Sequence, residues 1–112
     1  EITVTGPTQV SELKDGSVRT YQLDPMIYIG TLHPPESLAG GDPVENAAIT
    51  REILGGATGA KADVAILNAA AAIYVGGAAP DFEEAVEMAR DALATGAALE
   101  KLDGLVARSN AD

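Results

Sequence analysis

The side chains able to do chemistry in this sequence are mostly carboxylates. Seventeen Asp and Glu stand against seven Lys and Arg, for a net charge of −10, and there is no cysteine. Thiol nucleophiles and disulfides are therefore absent, which suits a cytoplasmic protein. His33 is the single histidine, and it has no neighbouring His in the sequence to share a metal with. Neither an HExxH zinc pattern nor a serine nucleophile with its histidine is found. The best-formed polar motif is Gly40-Gly41-Asp42-Pro43-Val44-Glu45. Two glycines ahead of a helix start could receive a phosphate. Asp42 and Glu45 would repel that anion, however, and both suit a helix N-terminus: Asp42 as cap, Pro43 in the first position, Glu45 three residues on. Capping is the reading these residues favour.

The acidic balance also excludes partners. Seven scattered cations form no basic patch, so binding to nucleic acid or an anionic membrane surface is not expected. No signal peptide is visible. The first residue is Glu1, so the chain was either processed or belongs to something longer.

These groups must be positioned by a chain of 112 residues, 46% hydrophobic and only 4% aromatic. A core of Ala, Val, Ile and Leu buries less area per residue than rings do. The most apolar stretch is Ala62–Val75, ADVAILNAAAAIYV, whose only polar groups are Asp63, Asn68 and Tyr74. It is shorter than the ~20 residues a bilayer span needs. It predicts a helix apolar on all sides, buried within the protein. Asn68 at its middle must find hydrogen-bond partners or cost about 1–3 kcal/mol.

Elsewhere, alternation in Ile2–Thr5 predicts a short strand, broken by Gly6-Pro7. Gln9–Leu13 and Ser17–Leu23 flank Asp15-Gly16, a hairpin signal. Val10 and Leu13 fall on opposite faces, which predicts a bulge or a ribbon lying over another element. Met26–Leu32 reads as a short strand or an irregular packed segment, and His33-Pro34-Pro35 as an extended turn. Helices are predicted over Pro43–Leu54, over Ala62–Val75, from Asp81 to about Gly96, and over Ala97–Ala107. Ala85, Met88, Ala89, Ala92 and Leu93 form the third helix's apolar stripe. Leu99, Leu102 and Val106 are the last helix's inward positions, and Ser109–Asp112 reads as a frayed tail. The result is an α/β chain with a hairpin-rich first third followed by four helices.

Four segments in this order resemble the C-terminal part of anthranilate phosphoribosyltransferase. Glu1-Ile2-Thr3-Val4-Thr5-Gly6-Pro7-Thr8 is similar to that family's acidic-x-x-x-x-GPT segment. Gly40 to Ile49 resembles its GGDxxENAxI segment, and Leu67 to Val75 its LNAAxALYV helix. Ala85 to Val106, containing Thr95-Gly96-Ala97-Ala98, resembles its last two helices. The match covers nearly the whole chain and is weakest over Met26–Pro35. It implies that residues 1–112 are the C-terminal part of a catalytic domain of the nucleoside phosphorylase/phosphoribosyltransferase type, incomplete without upstream sequence. The implied reaction moves phosphoribosyl from phosphoribosyl pyrophosphate to anthranilate in tryptophan biosynthesis, with Mg2+. The implied partners are the upstream half of the enzyme and a second copy in a homodimer. Of the family's metal-binding Asp-Glu pair, only the Glu has a counterpart, Glu1. The family's Gly-rich pyrophosphate loop has none, so the chain alone is expected to be inactive. A pyrimidine nucleoside phosphorylase-like enzyme and a non-enzymatic interaction domain are the alternatives.

Overall fold

The computed structural model describes residues 1–111. Chain order is β1 (Thr8–Lys14), β2 (Ser17–Leu23), α1 (Met26–Ile29), a 3-10 turn at Pro35–Leu38, α2 (Pro43–Leu54), α3 (Ala60–Val75), α4 (Phe82–Ala94) and α5 (Ala97–Ser109). The two strands form an antiparallel ribbon with unbroken register from Thr8 opposite Leu23 to Lys14 opposite Ser17. Asp15 (φ 53°) and Gly16 (φ 79°) turn it. Two successive positive φ values are the signature of the tight hairpin turn that Asp-Gly favours.

The expected bulge is absent. The ribbon instead faces α3 with Glu12 and leaves Leu13 paired with Val18 on its outer side, 73% and 70% exposed. The reading as a ribbon over another element holds.

Ile2–Thr5 is not a strand. A strand needs a partner ladder, and this segment's backbone groups go elsewhere. Asn68 accepts from the Ile2 N–H (2.9 Å) and donates to the Ile2 carbonyl (2.8 Å). Thr8 Oγ1 accepts from the Thr3 N–H, and Thr3 Oγ1 from the Thr5 N–H, both at 3.2 Å. The Val4 carbonyl accepts from the His33 N–H at 2.9 Å. Met26–Leu32 is likewise no strand: Pro25 opens a single helical turn and Gly30, at φ 73°, ends it.

Helix ends follow the sequence closely. Asp42 accepts from the Glu45 N–H and Asp81 from the Glu84 N–H, each at 2.8 Å. α2 has the predicted bounds, while α3 starts two residues earlier than predicted and α5 runs on to Ser109. The predicted frayed tail is thus helical at its start, and Asp112 lies outside the described residues.

The core gathers where α3 and α4 pack together, around Val4, Ile66, Leu67, Ala70, Ala85, Val86 and Ala89. The buried face of α4 includes Val86 in place of the expected Met88, which is exposed. Tyr28 meets Phe82 edge-to-face at 4.9 Å between ring centres, closing one end.

Expectation and structure part at the all-round burial of α3. Only Ala62, Ile66, Leu67 and Ala70 are buried. Ala69 and Ala72 are exposed, and Val75 is 83% exposed. One side of the apolar helix is covered and the other is open. Whole-molecule numbers agree. The accessible surface is 7297 Å2, against about 5,800 Å2 for a compact monomer of this mass. The radius of gyration is 15.2 Å, against about 13 Å for a compact domain of similar length.

Asn68 makes three hydrogen bonds, the third from its amide to the Val64 carbonyl at 2.9 Å. Asn68→Leu keeps the γ-branched shape, adds bulk and leaves both Ile2 backbone groups unpaired. Thermal unfolding should show a loss of about 2 kcal/mol, roughly 8 °C in Tm. An unchanged Tm would contradict the structural role given to Asn68.

Candidate functional site

The polar groups collect along α3. Asp63 in its first turn, Asn68 at its middle and Tyr74 in its last turn each reach a different part of the N-terminal third. Asp63 Oδ2 lies 2.8 Å from His33 Nε2, with both side chains about one-fifth exposed. Asn68 holds Ile2 as described. The Tyr74 hydroxyl donates to Glu12 Oε2 at 2.6 Å. These three partners are 30, 66 and 62 residues away in sequence.

Glu1 stands at the free end of this arrangement. It is exposed, one residue before the fixed Ile2. The following residues are tied down by Asn68, by the Thr3, Thr5 and Thr8 hydroxyls, and by burial of Val4. The structure therefore positions the backbone that carries Glu1 while leaving its carboxylate open. No group of three or more His, Cys, Asp or Glu side chains able to hold a metal ion is found among the described residues.

His33 is not a catalytic base with a nucleophile beside it. Its ring partner is Asp63 and its backbone partner is Val4. The pair fastens the His33-Pro34-Pro35 turn to α3. A cleft of about 230 Å3 lies between the start of α3 and α4, with Asp63 and Arg90 in its lining. Arg90 is committed to the Tyr28 carbonyl at 2.6 Å.

The Gly40-Gly41-Asp42 turn has its own internal partners. Asn46 Oδ1 accepts from the Gly41 N–H at 2.8 Å, and Asn46 Nδ2 donates to the Gly41 carbonyl at 3.0 Å. A Cβ on Gly40 would meet Asn46 Oδ1 at 2.6 Å. Asp42 caps α2, and hydrogen bonding from the Glu45 backbone N–H holds its carboxyl below the ordinary range. The helix N-terminus is thus occupied by this chain's own carboxylate, as capping requires.

The apolar character of Ala62–Val75 made Asn68 conspicuous in the sequence. The partnerships Asp63–His33 and Tyr74–Glu12 were not legible, because contacts between distant residues leave no local spacing. The one available signal was that Asp63 and Tyr74 interrupt an otherwise apolar run.

Comparison with known proteins adds a family. Residues 1–99 match the model of the glycosyl transferase family, a/b domain. The chain belongs to that glycosyl transferase family. Among similar proteins, anthranilate phosphoribosyltransferase of Syntrophobacter fumaroxidans is 53% identical over 110 residues, covering 98% of this chain and 33% of the relative. The enzyme of the same name from Methanocorpusculum labreanum is 47% identical over 106 residues, covering 95% and 31%. The crystal structure of anthranilate phosphoribosyltransferase from Thermus thermophilus superposes with a TM-score of 0.85 at 38% identity, covering 96% of this chain and 32% of that one. The resemblance found in the four motifs is borne out, and so is the α/β fold of a hairpin followed by helices. The chain spans about a third of the length of the curated relatives it matches. Among the described residues no helix is long and apolar enough to cross a membrane.

The cap assignment has a direct check. Asp42→Ala should speed amide exchange at residues 44–47 and leave α3 and α4 unchanged, whereas Asp42→Asn, which can still accept, should preserve protection. Equal protection in both variants would show that Asp42 is not the cap. Because the carboxyl's pKa is lowered by the fold, its contribution is full above the ordinary value and is lost as pH falls through the folded one.

Proposed function

We propose that this chain is the C-terminal part, residues 1–112, of a phosphoribosyltransferase catalytic domain, one that transfers phosphoribosyl from phosphoribosyl pyrophosphate to anthranilate. The observation that carries the reading is the agreement of family, motif order and fold over nearly the whole chain. The half-covered α3 supports it. The excess surface, about 1,500 Å2 by the scaling for compact monomers, is roughly twice the ~800 Å2 that each partner contributes to a standard protein–protein interface. Its apolar floor of Ala69, Ala72 and Val75 suits the rest of the same enzyme as partner. A homodimer would then form from the completed enzyme, in the cytoplasm.

Within that enzyme Glu1 is the residue proposed to touch Mg2+. A hard carboxylate oxygen suits this ion, which takes one or two carboxylates and completes its shell with water and phosphate oxygens. The donor set of this chain fits one ligand of an open site rather than a closed metal cage. When bound, the ion supplies charge neutralisation for the leaving pyrophosphate. Asn68 fixes the peptide next to Glu1, and the threonine hydroxyls fix the turn behind it.

Activity should require the missing donor-phosphate groups, since pyrophosphate departure needs preorganised cations and N–H donors. The chain alone should give no phosphoribosyl anthranilate. Mixing it with the remaining two-thirds of the Syntrophobacter relative should restore transfer, and Glu1→Gln should raise the Mg2+ requirement of the mixture, because a neutral amide replaces a charged carboxylate ligand. Turnover by the chain alone would sink the proposal. Phosphorolysis of a pyrimidine nucleoside in place of anthranilate transfer would replace it with the phosphorylase reading.

A further inference from the structure

The β1–β2 ribbon is attached to the rest of the protein in an unusual way. Its base is anchored: Leu23 and Pro25 are buried, and the Thr3 N–H donates to Thr8 Oγ1 at 3.2 Å. Its tip is free, with Leu13 and Val18 largely exposed. Between base and tip, the ribbon does not pack closely on α3. A cavity of about 260 Å3 separates them, with Val10, Tyr21 and Leu23 on the ribbon side and Ala71, Tyr74 and Phe82 opposite. Dispersion contacts fall off steeply across such a gap.

What bridges the gap is Glu12. Its side chain is only 14% exposed. One carboxylate oxygen accepts from the Tyr74 hydroxyl at 2.6 Å. The other accepts from the Tyr21 hydroxyl at 3.1 Å and from Arg19 Nη2 at 3.4 Å. The Tyr74 bond has the short length of a hydroxyl donating to an ionised carboxylate. It joins β1 to α3, while the Tyr21 and Arg19 bonds stay within the ribbon. Lys14 Nζ lies over the Tyr74 ring, 5.7 Å from its centre. Asp15 lines the same surface depression as Glu12, Lys14 and Arg19. These are the charged and titratable groups around Glu12.

We propose that Glu12 is a latch: its bond to Tyr74 closes the ribbon over the cavity on α3, and its loss lets the ribbon swing out about its anchored base. Ile2 also lines that cavity, so opening uncovers the residue that follows Glu1. The latch is pH-sensitive in a defined direction. Hydrogen bonding from Tyr74, then from Tyr21 and Arg19, lowers the Glu12 pKa against an opposing effect of burial. A carboxyl with a lowered pKa holds the closed form above its ordinary value and releases it as pH falls through the folded value. Acid opens the ribbon.

Hydrogen–deuterium exchange on the protein tests this. A two-stranded ribbon is marginal without support, so release exposes its ladder. Tyr74→Phe, which removes one oxygen and keeps the ring, should speed exchange at residues 9–22 about ten-fold while residues 64–93 stay unchanged. Glu12→Ala, which also removes the Tyr21 and Arg19 bonds within the ribbon, should do at least as much, and the double variant should add little to Glu12→Ala, because the Glu12–Tyr74 bond is already lost in it. In the unmodified protein, lowering pH from ~7 to ~3 should open the ribbon after correction for intrinsic exchange, and Glu12→Ala should abolish that dependence. The proposal is overturned by full ribbon protection in both single variants. Equal acceleration through α3 and α4, or a pH dependence that survives in Glu12→Ala, also overturns it.

Discussion

Three polar side chains on one apolar helix hold this structure together. Asp63, Asn68 and Tyr74 fasten the His33 turn, the Ile2 segment and the ribbon to the first turn, middle and last turn of α3. The N-terminal third has few alternatives. It contributes Val4, Leu23 and Pro25 to the buried apolar set, and its strands pair with each other. Hydrogen bonds of this kind contribute about 1 kcal/mol each when both partners are present, and cost more when one is left unpaired. The helix is thus the mast to which irregular segments are tied, while α4 supplies its apolar cover.

The same arrangement explains why so much of α3 is open. Small residues on a helix allow another backbone to approach closely, and the helix that makes this approach is α4, through Ala85, Val86 and Ala89. The other side presents Ala69, Ala72 and Val75 to solvent. α2 buries no residue at all, and α5 none. A small aliphatic core with a large apolar margin is what the proposed reading, as one part of a catalytic domain, would require. In that reading the chain's contribution to chemistry is the fixed backbone beneath Glu1, and the donor-phosphate contacts come from the remainder.

Local features were legible in the sequence wherever one residue dictates a conformation. Asp15-Gly16 set the hairpin turn, Asp42-Pro43 and Asp81 set helix starts, and the glycines at 55, 76 and 96 bounded helices. Reading failed where long-range partners decide. Ile2–Thr5 alternates like a strand but has no ladder to join, so side chains take its backbone bonds. Val10 and Leu13 suggested a bulge, yet the ribbon stays regular because an exposed Leu13–Val18 pair is tolerated at its tip. Met88 and Val86 exchanged places because the approach direction of α3 settles which face of α4 is covered. The Glu12–Tyr74 and His33–Asp63 pairs had no local signature. The candidate metal ligand, Glu1, came from motif resemblance, since a single terminal carboxylate carries no spacing to read.

The central claim is that α3 is apolar on both sides and covered on one. It can be measured by adding a soluble paramagnetic relaxation agent to protein with labelled alanine methyls. The Ala69 and Ala72 methyls should broaden strongly, while those of Ala62, Ala70, Ala85 and Ala89 stay sharp. Uniform protection of all the α3 alanines would contradict the account, and so would uniform broadening.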